Sequence, residues 1–196
     1  MKKNILLILL AFILGGCAAV GVPTTSNPIE KLQWAKELYN NQGRPLPAEK
    51  LINEAIVICK QDKDSECLGK AYLMYGDFLR SPSIRKRHIN YKKHGFLNSN
   101  ITFENRLIKS KEYFEKAIPE FLKTKQYDLL TTVYLNIGFA HYLLKDSKSE
   151  CEAYKVSIKY NTKNLENNPN VDISLPKGFS TYKEYVKTHQ KRAGCL

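Results

Sequence analysis

Ala48 to Leu79, AEKLINEAIVICKQDKDSECLGKAYLMYGDFL, decides the fold, because it returns without a gap as Ser110 to His141, SKEYFEKAIPEFLKTKQYDLLTTVYLNIGFAH. At this offset the copies share Ala55/Ala117, Ile56/Ile118, Lys63/Lys125, Leu68/Leu130, Tyr72/Tyr134, Leu73/Leu135 and Gly76/Gly138. The identities fall where two packed helices need them: small and aliphatic residues midway along the first, then Tyr-Leu-x-x-Gly in the second. A helix, turn, helix unit used twice buries its apolar faces only by stacking on neighbours. The expectation is an all-α chain, a short α-solenoid of about six to seven helices.

The copies differ at one informative pair. Cys59 aligns with Phe121 and Cys67 with Leu129, so a seam filled by apolar side chains in the second copy could be bridged by sulfur in the first. A Cys near the end of one helix and another in the first turn of the next can reach the roughly 4.4–6.8 Å Cα separation a disulfide requires. For so small a loop the chain-entropy estimate is about 2.5 kcal/mol.

Residues 1–16 read as an address and not as fold. Lys2 and Lys3 form a charged start, Ile5 to Leu14 is an apolar run too short to span a bilayer, and small residues precede a cysteine. Leu14-Gly15-Gly16-Cys17 resembles the lipobox of bacterial lipoproteins. The resemblance implies that residues 1–16 are a signal peptide and that Cys17 carries diacylglycerol and an acylated amino terminus. The other reading is an ordinary secretory peptide with an incidental Cys. Since Ala18 and not Asp follows, the resemblance further implies the outer membrane, periplasmic side. Several acyl chains anchor stably, each buried methylene adding about 0.8 kcal/mol.

That address implies an oxidising space, where disulfides persist. Setting Cys17 aside leaves Cys59, Cys67, Cys151 and Cys195, which allow three connectivities. Sequence proximity favours Cys59 with Cys67, and Cys151 with Cys195 would then tie the carboxyl end back. A four-ligand zinc site is the rival, but the CxxC-type spacing it usually needs is absent. No metal or cofactor is expected.

Without Lys2 and Lys3, 29 basic residues face 19 acidic ones. Such a surplus suits phosphate-bearing or carboxylate-bearing partners. A periplasmic address argues against nucleic acid and leaves anionic lipid head groups, lipopolysaccharide, peptidoglycan and acidic protein surfaces.

Residues 17–27 are a short lipidated tether, and 28–165 the helical repeats. Asn27-Pro28-Ile29-Glu30 starts a helix with an N-cap, a first-position proline and a glutamate able to reach back; Gly43 stops it. Helices are expected over Pro47–Lys60, from Asp64 or Ser65 to Leu79, over Glu104–Lys123, over Tyr127–Leu144, and from a capping box at Ser147-x-x-Glu150. Pro119 should kink or shorten its helix. Residues 166–178, rich in Asn and Pro, are a linker, and Thr181-x-x-Glu184 opens a capping helix within 179–196.

Gly43 with Ala48, Ile52 and Ala55, then Tyr72, Tyr75 and Gly76, resembles the tetratricopeptide repeat, as do Ser110, Phe114 and Ala117 with Asn136-Ile137-Gly138. The Cys-x7-Cys of Cys59 and Cys67 is similar to Sel1-like repeats, whose secreted bacterial members join successive helices by a disulfide at this spacing. A TPR-like solenoid would place Leu135, Asn136, Phe139, Tyr142 and Leu143 in a groove that holds a partner's segment. In so short an array the chain's own carboxyl-terminal helix could instead cover that face.

Gly76 and Ser110 lie further apart than the family leaves between these positions, so a segment of about 81–103 is inserted. From Arg80 to His94 it carries Arg80, Arg85, Lys86, Arg87, Lys92 and Lys93 with no acid, and Tyr91 inside the run. This basic patch is the candidate surface for anionic envelope lipid or polysaccharide; the plainer reading is a solvated loop. His88 and His94 could add charge in mild acid. No HExxH, GxSxG or phosphate-cradling glycine loop is present, and His141 reads as a core or groove histidine. The sequence therefore points to a membrane-anchored scaffold for a protein partner in cell-envelope assembly, pilus or secretion machinery, and not to an enzyme.

Overall fold

The computed structural model describes residues 21–171 and 174–195, and among them every regular element is a helix. In chain order these are α1 (Pro28–Asn40), α2 (Pro45–Gln61), α3 (Ser65–Arg80), α4 (Pro82–Lys86), α5 (His88–His94), α6 (Arg106–Lys123), α7 (Tyr127–Leu144), α8 (Ser147–Asn167) and α9 (Tyr182–Ala193). The expected signal peptide, Cys17 and the first residues of the expected tether, 17–20, lie outside the described residues.

Local chemistry starts and stops these helices much as the sequence suggests. Asn27 Oδ1 accepts from the N–H groups of Ile29 and Glu30, Asp64 from Cys67, and Thr181 closes a full capping box with Glu184. Glu30 does not reach back; its carboxylate accepts from the Thr25 hydroxyl at 2.6 Å. At α8 the expected box is also absent. Asp146 caps it by accepting from Ser149, and Glu150 turns inward. Helix α6 begins at Arg106 and not Glu104, and runs through Pro119 to Lys123.

Turns recur as one motif. Lys63, Lys125 and Lys145 all take left-handed φ (55°, 56° and 61°), and the next residue donates back to Cys59, Phe121 and His141 respectively. These are Schellman closures, which return two orphan carbonyls to hydrogen bonding. Lys63 and Lys125 thus stand at the same left-handed turn position in the two copies.

The chain packs mostly in sequence: α1 on α2, α2 on α3, α6 on α7, α7 on α8, α8 on α9. The exception is α3, which pairs extensively with α6 across the insertion. Two crossings use the same device. A Cβ at Gly76 would lie 2.5 Å from a ring carbon of Phe114, and a Cβ at Gly138 would lie 2.3 Å from a ring carbon of Tyr154. Each glycine lets an aromatic of the facing helix approach the backbone more closely than any side chain there would allow. Hydroxyls lock the same seams, Ser110 donating to the Gly76 carbonyl at 2.6 Å and Ser157 to that of Thr131 at 2.8 Å. Phe121 fills the second copy's turn seam and covers Gly69, where the first copy holds Cys59 and Cys67 at bonding distance, Cα atoms 5.6 Å apart.

The insertion is not a loop. Ile84, Tyr91, Phe96 and Ile101 are buried in the same core as α1, α2 and α3, so 81–103 folds back as α4, α5 and a packed turn. Apolar contact outweighs the charge: each such residue contributes roughly 1.5–3 kcal/mol on burial, and the cations point outward around Tyr91.

Candidate interaction surfaces

The α7 face expected to hold a partner is largely taken by α9. Leu135 packs into the cluster of Tyr154, Tyr182 and Val186, Phe139 meets His189 edge-on at 4.9 Å, and the Arg192 guanidinium lies 3.8 Å over Tyr142. Asn136 accepts from Arg80. Leu143 and one side of Tyr142 remain exposed. Of the two readings the sequence left open, the structure takes the self-covered one, because the linker folds α9 back against α8.

Three contacts hold that helix. Cys151 and Cys195 sit at bonding distance with Cα atoms 5.5 Å apart, and the hydroxyls of Tyr182 and Ser157 are 2.5 Å apart in the core. Buried Glu150 accepts from the Tyr154 hydroxyl and from Arg192 at 2.8 Å. Burial and the neighbouring Arg192 hold the His189 imidazole below its ordinary range. The sequence reading gives Glu150 only a capping-box role and does not single out Arg192. An acid four residues before a buried tyrosine was the available signal.

The basic run divides in two. Arg85, Lys86 and Arg87 on α4 and its end, and Lys92 and Lys93 on α5, are exposed; Arg87 donates to the Gly43 carbonyl and Lys92 lies 5.6 Å over Phe103. Arg80 does not belong with them. Its side chain is 15% exposed, donates to Asp77 and Asn136, and lies over the rings of Phe114 and Phe139. It is a fastener between α3, α6 and α7.

A cavity of about 690 Å³ opens where the tether, the start of α2 and the end of α5 meet. Val22, Pro23, Leu46, Leu51, Phe96 and Leu97 supply an apolar lining, and Lys50 and His94 stand at its edge. Under it lies Glu49, 1% exposed, accepting from the Tyr75 hydroxyl and the Leu97 N–H, both at 2.8 Å. Burial pushes its carboxyl up to about 7 against the pull of those two donors. Lys31 and Glu54 pair at 2.6 Å beside it. Sequence reading missed this site, although an acid beside the apolar stripe Ala48, Ile52 and Ala55 was a visible sign.

His141 Nδ1 lies 3.2 Å from Asp146 at the α7–α8 turn. Among the described residues no cluster of His, Cys, Asp and Glu could hold a metal ion, and no helix is long and apolar enough to cross a membrane. No protein-family model, curated protein or solved structure matches the chain.

Proposed function

We propose that the chain is an envelope lipoprotein, anchored through Cys17 to the periplasmic side of the outer membrane, whose TPR-like solenoid holds a protein partner. The observation that carries this reading is the repeated crossing, Gly76 under Phe114 and Gly138 under Tyr154, in a chain that opens with Leu14-Gly15-Gly16-Cys17. Stacked helical hairpins expose surface in proportion to their length and need no reactive group. The surface offered is what α9 leaves open: Tyr142 and Leu143 at the end of α7, with Trp34 on α1 exposed as well. In-cell crosslinking from Leu143, followed by mild detergent extraction, should recover one protein in constant proportion. Recovery of the chain alone, under conditions that keep other envelope complexes intact, would count against it.

A second reading has its own support. Arg85, Lys86 and Arg87 are exposed on a structured element with no acid among them, as an anionic lipid or polysaccharide surface would require. Neutralising all three should abolish salt-sensitive association with anionic vesicles; unchanged association would remove the idea.

A further inference from the structure

We infer that the cavity beside the tether binds a single-chain anionic amphiphile, its acyl chain inside and its head at Lys50. This goes beyond the adaptor reading and does not depend on it. The volume, about 690 Å³, falls in the range of small-ligand pockets, roughly 300–1,000 Å³.

The lining selects the ligand class. Val22, Pro23, Leu46, Leu51, Phe96 and Leu97 present carbon, and Pro23 has no N–H to offer. A peptide segment pressed against them would bury backbone N–H and C=O groups without partners, at a cost of about 1–3 kcal/mol for each. An acyl chain has no such groups to satisfy. The carboxylates at the cavity are engaged within the chain, Glu49 Oε1 by Tyr75 and Leu97 and Glu54 by Lys31, while Thr24, Thr25 and Asn90 add polar side chains to the lining.

The rim selects the head. Lys50 is 74% exposed and 4.0 Å from a Glu54 carboxylate whose other oxygen holds Lys31. His94 lines the cavity too, and Lys92 and Lys93 precede it on the exposed side of α5. An anionic head gains from this edge, and a cationic one does not. Leu46 and Leu97 are 45% and 63% exposed, so the mouth is itself apolar and unfilled by other parts of the described chain.

The test is a titration with cis-parinaric acid, a fatty acid that fluoresces in apolar surroundings, of the protein as isolated from the membrane or soluble fraction and of Cys17→Ser. The expected result is saturable binding of one equivalent in both forms. Leu97→Asp and Leu46→Asp, each at an exposed mouth position, should weaken it at least tenfold with helical content unchanged. Lys50→Glu should weaken the acid several-fold and leave its methyl ester unaffected. Val171→Asp, which removes an exposed apolar side chain elsewhere, should change nothing. The inference is overturned if both mouth variants bind as the parent does, or if uptake is non-saturable. Binding confined to Cys17→Ser would assign the cavity to the protein's own anchor and overturn it as well.

Discussion

The two glycine crossings share a backbone device and differ at the aromatic that fills it. Phe114 closes the inner one, where α7 lies beyond and Arg80 covers the ring. Tyr154 closes the outer one, and its hydroxyl donates to Glu150 while accepting from Arg192 of α9. An inner seam is finished by the next hairpin and needs only carbon. At the last hairpin, the ring's polar tip recruits a covering helix. A terminal repeat requires such a lid, since its outer face has no neighbour.

The strongest way to break this comparison is to remove the rings. Phe114→Ala should cost about 3–5 kcal/mol, as buried Phe→Ala changes do, read as a lower urea midpoint for the whole chain. If the loss were under 1 kcal/mol, the α3–α6 seam would not hold the molecule together.

The disulfides extend the contrast. Cys151 and Cys195 close a loop of 44 residues, Cys59 and Cys67 one of 8. Loop entropy gives about 4 kcal/mol for the first and about 2.5 for the second. Cys151→Ser should therefore destabilise more than Cys59→Ser in thermal unfolding. It should also raise amide exchange across α9 while leaving α1 to α3 protected. Equal effects would mean that the lid is held by side chains alone.

Glu49 gives the amino-terminal half a pH dependence opposite in sign to that of the lid, where His189 is held below its ordinary range and stability rises as it loses its proton. The folded pKa of Glu49, about 7, lies above the unfolded value of 4.5. The native state therefore holds the extra proton between these values, and stability should fall as pH rises from about 4.5 through 7. The span is on the order of 3 kcal/mol. Glu49→Gln keeps the acceptor oxygen and should flatten that slope in urea titrations at pH 5, 6 and 7; an unaltered slope would assign it elsewhere.

The smallest change sharpens the comparison most. Tyr154→Phe should cost about 1–2 kcal/mol, because Glu150 and Arg192 lose a shared partner. A Phe114→Tyr change should not stabilise, since no acceptor has been placed for it. Urea midpoints of the two single variants measure both.

Much of this was legible in the sequence, because hairpins are local. Asn27, Asp64 and Thr181 announce helix starts within four residues, and the copies at Ala48 and Ser110 announce the pairing. The insertion was not legible: Ile84, Tyr91, Phe96 and Ile101, spaced seven, five and five residues apart, sustain no helical period, and their burial depends on a surface supplied by α1 to α3. Arg80 read as one cation among six, and only its position between Phe114 and Phe139 separates it. The cavity joins residues 22–25, 46–51 and 94–97, which no spacing rule connects.

The anchored-adaptor account is tested most directly by the intact mass of the chain recovered from the membrane fraction. It predicts a polypeptide beginning at Cys17, with the added mass of a diacylglycerol and an amino-terminal acyl group. An unmodified chain in the soluble cytosolic fraction, residues 1–16 still attached, would contradict it.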